Sequence, residues 1–577
     1  MSSSRGPVAP KDPTAKRPFY YIMKNKDVCG SPAPDGRGVQ FIYESDGRLK
    51  AAAKFIGNLD NGEMEKELDT VEGLRKQVHS IGVSVQRPGE PIDVKFAFQM
   101  YGHRDPYNSG TTLEMTVPSD GMEFVMELGL CDWSDDDNVP GQIRFEFPEA
   151  GMQAKVTVAL YLNDGYTAPE QEADREIDFE SDTYREMIGR SLMQKGNIHR
   201  LKAAIDKARR GEEVTVGFIG GSITQGAGAI PINENCYAYK AFKGFCDLVG
   251  KGYGDSVKYV KAGVGGTPSE VGILRYANDV TENGKVSPDV MIVEFAVNDE
   301  GDETKGEFYD SLVRKIYNSP QKPAVILLFS VFVDGYNLEE RLKCVGEAYD
   351  LPMVSTKRSV YDQFYLSEEE GGIVSKKQFF YDMYHPTNIG HTIMADGLIG
   401  LFKTADASTD EPDKDISGIT PPKGAEFENI YYVDRADIDK TGAFVSFDNG
   451  AFTGHSTETQ HVERNLDLAG TPEFDNNWLY DGANLPEGGY ASFKARVKCS
   501  ALTIAYMDSA SIEVGTCEVY VDGEKKLEID PHIIGWQHCN AYIVFRGQLP
   551  AEREIEVRIP EKDRDKRFTL LGFGVVD

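Results

Sequence analysis

Five short, nearly unbroken apolar runs constrain the fold of this chain more than any other feature. They are VTVGFIG (Val214–Gly220), VKYVKAGVG (Val257–Gly265), DVMIVEFA (Asp289–Ala296), AVILLFSVF (Ala324–Phe332) and LPMVST (Leu351–Thr356). A strand with one face in water alternates apolar and polar residues; a strand covered on both faces does not. Helix-like stretches lie between the runs, among them Phe308–Tyr317 and Leu338–Tyr349. Strand and helix alternating in this way predict a mainly parallel sheet in a three-layer α/β/α domain. Ahead of the first run, Ile198, Leu201, Ile205 and Ala208 recur at helical spacing between an Asn197 N-cap and a Gly211 stop.

The rhythm changes on either side. Ile81–Val85, VKFAFQMYG, MEFVMELGL, IRFEF and KVTVALYL alternate with turn residues, as do ASFKARV, ALTIAYM, CEVYVDG, AYIVFRG and EIEVRIP near the carboxyl terminus. Both regions predict antiparallel, jelly-roll-like β-sandwiches. The expected organisation is a flexible tail over 1–18, a β-sandwich over 19–170, the α/β domain over 171–403, a linker over 404–424 and a second β-sandwich over 425–577. The linker is expected because TADASTDEPDKDISGITPPKG is polar, acidic and Pro-rich.

Composition narrows the partners. With 93 acidic against 62 basic side chains the formal charge is −31, which disfavours nucleic acid and anionic lipid. No stretch approaches the roughly 18 apolar residues of a spanning helix, and the polar amino terminus lacks the apolar core of a signal peptide, so a cytoplasmic protein is expected. The eight cysteines include no CxxC pair, which predicts reduced core thiols rather than a disulfide framework or a zinc cluster. Neither metal nor organic cofactor is expected, and oligomeric state is left open.

In an open α/β sheet, ligands sit beyond the carboxyl ends of the strands. Ser222 stands there, directly after Gly220 and Gly221, which permit a tight exit and close backbone approach. The stretch is not a P-loop, because Ala227 and Gly228 follow Gly226 where a lysine is required. It lacks the GxGxxG dinucleotide fingerprint, and Thr224 occupies the second glycine position of a GxSxG elbow. A nucleophilic serine needs a base and an orienting carboxylate, and YDMYHPTNIGH supplies both with Asp382 three residues before His385. His391 reads as a packing or capping residue. Two further strand ends suit an oxyanion: KAGVGGTPSE with Gly265 and Gly266, and VEFAVNDE with Asn298 and Asp299.

Taken in order, GFIGGSITQG, KAGVGGTPS, EFAVND and DMYHP resemble the four blocks of the SGNH (GDSL-type) hydrolases over roughly Val214 to Leu401. The resemblance implies that Ser222 is the nucleophile and first oxyanion amide, Gly266 the second amide, Asn298 the side-chain donor, and Asp382 and His385 the other triad members. Two departures stand out: GGS replaces the common GDS, and Lys261 stands where an asparagine is usual, which puts in question the network behind the second block. The GGSIT form with flanking β domains is similar to carbohydrate esterases that deacetylate plant polysaccharides.

The expected activity is therefore hydrolysis of acetyl esters on oligosaccharides, xylo-oligosaccharides first and manno-oligosaccharides second. A lysophospholipase or thioesterase of the same fold, or a non-catalytic carbohydrate-binding protein, are the alternatives. Trp478 and Trp536 are candidate sugar contacts in the carboxyl-terminal region, beside tyrosines such as Tyr480 and Tyr490. For each of these aromatics the plainer reading is a core or interface residue.

Overall fold

The computed structural model describes residues 17–45, 47–250, 256–462, 471–485 and 491–577. These fall into two compact units: Met1–Phe179 with Gly228–Asn235 and Asp362–His391, and Glu180–Ala227 with Cys236–Tyr361 and Thr392–Asp577. Of the tail expected over 1–18, residues 1–16 lie outside the described residues. Arg17 is tied down, donating to the Leu162 carbonyl at 3.0 Å and pairing with Asp164.

The second unit contains the predicted parallel sheet. Its strands are β1 (Leu192–Gln194), β2 (Val214–Gly220), β3 (Val257–Gly263), β4 (Val290–Glu294), β5 (Ala324–Phe329) and β6 (Met353–Ser355), in the spatial order β1-β6-β5-β4-β2-β3. All neighbours are parallel except the short edge strand β1, which runs antiparallel to β6. Every residue of β2, β4 and β5 is buried, as the unbroken apolar runs require. The predicted helix ahead of β2 spans His199–Arg209; Asn197 Oδ1 accepts the His199 amide, and Gly211 follows at φ 77°.

The chain builds β2, adds β3 on one side, then crosses back to add β4 on the other. Strand order reverses at β2, so the crevice between β2 and β4 is where such a sheet binds ligands. Register aligns the carboxyl ends of the three strands, with Gly220 opposite both Gly263 and Glu294.

Two buried polar groups brace those ends. Arg275, on the helix Ser269–Asp279 (α1), is 1% exposed; its guanidinium donates at 2.7 Å to the carbonyls of both Gly220 and Ala262 and pairs with Asp279 at 3.1 Å. Glu294 is fully buried and accepts hydroxyl hydrogen bonds from Ser330 at 2.5 Å and Thr224 at 3.1 Å. Burial outweighs these bonds and pushes its carboxyl up to about 7.

The carboxyl-terminal segment adds an antiparallel eight-stranded sheet to the same unit. Most of ASFKARV and all of ALTIAYM lie in one continuous strand, Ser492–Asp508, and AYIVFRG and the start of EIEVRIP lie in another, His538–Arg558. Ala501, Ala505, Met507, Cys539 and Leu571 of this sheet share one apolar core with α1 and β4. The stretch expected as a linker begins inside a helix, Asn388–Ala407, and is packed beyond it. Ile416 is buried in the shared core, Arg200 pairs with Asp413, and the Tyr317 hydroxyl donates to the Lys414 carbonyl.

The first unit holds an antiparallel four-stranded and an antiparallel five-stranded sheet whose side chains meet in one core. Three short helices, Arg48–Phe55, Gly62–Glu67 and Val71–Gln77, interrupt the β rhythm where only strands were expected. Capping explains the last two: Asn61 and Thr70 accept backbone amides at their starts. All eight cysteines are unpaired, and five are buried. Among the described residues, no helix is long and apolar enough to cross a membrane.

Replacing Arg275 with methionine would take the buried cation away from Asp279 and one hydrogen bond from each of two strand-end carbonyls. We expect a loss of about 3–5 kcal/mol in urea denaturation. Glu294 has a distinct pH signature: because the folded state holds its proton up to about 7 and the unfolded chain releases it near 4.5, stability falls as pH rises between those values. The Glu294→Gln protein should lack this decline, worth on the order of 3 kcal/mol, when melting is compared at pH 5 and pH 7.5.

Candidate active site

Ser222 opens a four-residue helix, Ser222–Gln225, immediately beyond β2. The helix approaches the sheet closely enough that glycine is required at its contacts: a Cβ on Gly220 would collide with Thr224 and the Glu294 carbonyl, and one on Gly263 with the backbone of Gln225. Thr224, the residue that excludes a GxSxG elbow, ties the helix to Glu294 and lies 2.8 Å from the Tyr237 hydroxyl. Gly226 closes the turn at φ 106°, its amide donating to the Ser222 carbonyl.

The second block begins where Val264 donates its amide to the Gly220 carbonyl at 3.2 Å. Gly266 sits at φ 72°, in the left-handed region that favours glycine. Lys261, fully buried in place of the usual asparagine, donates to the Gln225 carbonyl at 2.9 Å and so joins the second block to the end of the serine helix. Lys261 thus contributes a hydrogen bond at this position.

Asn298 follows β4 in a turn that its own amide makes to Phe295. Its carboxamide packs on Gly221, where a Cβ would collide with Oδ1. The space a side chain at position 221 would use is therefore taken by Asn298 in this chain. Asn298 Oδ1 is buried with no hydrogen-bond partner among the described residues. Asp299, fully buried, accepts the Ser269 amide at 2.7 Å and the Ser269 hydroxyl at 2.8 Å, locking the start of α1 behind the Gly266 turn. Burial pushes the Asp299 carboxyl up to about 8, with Asp302 adding to the shift.

These three groups, Ser222, Gly266 and Asn298, all stand beyond the aligned carboxyl ends of β2, β3 and β4 in the second unit. Asp382 and His385 belong to the first unit, and their geometry is set locally. Tyr381 and His385 close a tight loop through the Tyr381 amide and the His385 carbonyl at 2.7 Å. Asp382 Oδ1 accepts the amides of Tyr384 and His385, each at 2.8 Å, and Oδ2 lies 2.8 Å from His385 Nδ1. Burial works against ionisation of Asp382, but His385, Arg48 and Lys26 outweigh it and hold the carboxyl well below the usual carboxylate range. His391 is fully buried.

The two tryptophans separate. Trp478 is 1% exposed and packs against Phe493 and Phe573 in the carboxyl-terminal core, so it has no surface to offer a sugar. Its strand alternation, which buries Trp478 and Tyr480 together, places it there. Trp536 is 38% exposed and lies on Gly266: a Cβ there would come within 2.8 Å of its Cζ2 and Cη2 atoms. Tyr480 is buried, and Tyr490 lies outside the described residues.

Several residues that shape the site escaped the motif reading. Gln460 donates to the Gly265 carbonyl at 2.8 Å and accepts the Cys539 amide at 2.7 Å, while His538, paired with Asp508, flanks Gly266 beside Trp536. Arg275 had a legible signal, since a lone arginine on a helix covering an apolar sheet needs a buried acceptor. Lys26 had none, lying 355 residues from Tyr381.

No family model and no curated protein matches the chain. Among solved structures it is similar to a two-domain esterase active on acetylated mannans, co-crystallised with mannopentaose, with 24% identity and a TM-score of 0.55 over 68% of this chain and 98% of that one. A second structure of a two-domain esterase active on acetylated mannans gives 24% and 0.54 over 68% and 99%. An acetylxylan esterase from Geobacillus stearothermophilus matches at 17% identity and a TM-score of 0.25, over 33% of this chain and 94% of that one. At these identities the likeness to the two-domain esterase structures is one of fold.

Proposed function

We propose that the chain is a serine esterase that removes O-acetyl groups from acetylated plant cell-wall oligosaccharides. One observation carries the reading: an Asp–His pair hydrogen-bonded at 2.8 Å accompanies a serine, a left-handed glycine and an asparagine at the ends of three adjacent parallel strands. The organisation proposed with it is a three-layer α/β/α hydrolase domain over 171–403 between β-sandwiches over 19–170 and 425–577.

Chemically, Asp382 Oδ2 takes the hydrogen bond from His385 Nδ1–H and leaves Nε2 with a lone pair. His385 Nε2 accepts the Ser222 hydroxyl proton as Ser222 Oγ bonds to the acetyl carbonyl carbon. The oxyanion is held by the amides of Ser222 and Gly266 and by Asn298 Nδ2, each such donor being worth about 10²–10³ in rate. Collapse breaks the bond to the sugar oxygen, which leaves with the proton from His385. Water, deprotonated in turn by His385, then releases acetate and restores Ser222.

The likeness over 68% of the chain to an esterase active on acetylated mannans supports manno-oligosaccharides as a substrate class beside the xylo-oligosaccharides expected from the sequence. Trp536, over Gly266, is the aromatic we assign to contact the sugar. The Ser222→Ala protein should lose about 10³-fold or more of its turnover of 4-nitrophenyl acetate while keeping oligosaccharide affinity. Activity that peaks at the acetyl ester supports this reading; a preference for acyl chains of eight or more carbons points to a lysophospholipase or thioesterase, and absence of turnover on every ester to a binding protein. Acetate release from mannan and xylan fragments decides the sugar. Trp536→Ala should raise KM on acetylated oligosaccharide by about tenfold with little effect on 4-nitrophenyl acetate, and an unchanged KM removes the assignment.

A further inference from the structure

The strand Phe19–Cys29 does not run regularly. Its pairing with Gln153–Leu162 shifts register between Tyr21 and Met23 and again between Met23 and Lys26, and Asn25 sits at φ 49° with its amide on Thr157 Oγ1. Asparagine is one of the few non-glycine residues that adopt the left-handed region, and bulges of this kind re-aim side chains. Here the side chain re-aimed is Lys26. Its ammonium donates to the Tyr381 carbonyl at 2.5 Å and lies 3.5 Å from the centroid of the Tyr381 ring. That carbonyl belongs to the peptide bond that enters Asp382. From the first turn of the helix Arg48–Phe55, Arg48 sets its guanidinium 4.9 Å from the centroid of the Tyr384 ring, inside the same loop.

We propose that Lys26 and Arg48 are positioning residues for the Asp382–His385 pair, which makes the amino-terminal segment a working part of the acyl-transfer machinery rather than a separate ligand-binding module. Lys26 fixes where the loop begins and Arg48 fixes its tip, so that Asp382 meets His385 Nδ1 without a search over loop conformations. The charges facing the pair support this role. Lys26 lies within the field of both Glu44 and Asp382, and Glu44 is 5% exposed. Burial lowers the Lys26 ammonium and raises the Glu44 carboxyl, each moderating the other, while Arg48 and Lys26 favour the ionised form of Asp382. Lys26 and Glu44 together bring little net charge, so the imidazolium that forms on His385 during turnover is not opposed by an unbalanced lysine.

The proposal rests on the esterase reading, and its test separates the two. Lys26→Met, Lys26→Arg and Arg48→Gln are compared by kcat and KM on 4-nitrophenyl acetate. The low-field proton of His385 Nδ1–H is followed by NMR in the Ser222→Ala background, where no turnover is needed. Lys26→Met should lower kcat by about 10–100-fold with KM within about twofold, and should broaden the low-field resonance into exchange with water. Lys26→Arg should recover most of both. Arg48→Gln should show a smaller loss of kcat in the same pattern, and it carries the test if Lys26→Met fails to fold. Unchanged kcat and an unchanged resonance in Lys26→Met, or in Arg48→Gln where that variant decides, overturn the proposal. A wild-type protein inactive on every acetyl ester, whose resonance still depends on Lys26, would retain the positioning role and discard the esterase.

Discussion

The carbonyl of Gly220 is the point on which the candidate site depends. It is the last acceptor of β2, and it is satisfied twice, by the amide of Val264 and by the guanidinium of Arg275. A buried arginine is tolerated only with its charge paired, and Arg275 meets this condition through Asp279 while its two terminal nitrogens bridge Gly220 and Ala262. The consequence is a fixed spacing between the ends of β2 and β3, and with it between the serine turn and the Gly266 turn. Glycine at 220, 221 and 263 follows from that spacing, because the serine helix and the Asn298 carboxamide fill the volume a side chain would need.

Beneath the serine, acidic groups are held where burial disfavours their charge. Glu294 is kept by Thr224 and Ser330, and Asp299 by Ser269. Their raised carboxyls contrast with Asp382, which three donors from its own loop and two neighbouring cations keep ionised. Whether a buried carboxyl group is held charged is thus decided by the donors and cations around it, not by exposure alone. The Asp–His loop is short and closed by its own backbone, with Asp382 Oδ2 at His385 Nδ1. Lys26 and Arg48 act on the loop as a body, one at its entry and one at its tip.

The carboxyl-terminal sheet shows how a region that reads as an accessory module can be structural. Its strands share a core with α1, and Gly574 approaches Leu274 so closely that a Cβ there would collide. Gln460, Trp536 and His538 reach the Gly265–Gly266 turn from that base. Being anchored through α1, they contact the turn from the same helix-and-sheet body that Arg275 braces.

By itself the sequence determined the strands β2–β6, the serine, the glycine pair, the asparagine and the Asp–His pair. Each of these is a local pattern: unbroken apolar runs report burial on both faces, and a spacing of three residues reports a single turn. Only the tertiary structure decided which strands are neighbours, that Asn298 fills the place of a side chain at 221, that Trp478 is core while Trp536 lies on Gly266, and that Lys26 enters the Asp382 loop through a bulge. These outcomes depend on close packing between residues far apart in the chain, where the order of letters carries no trace of distance.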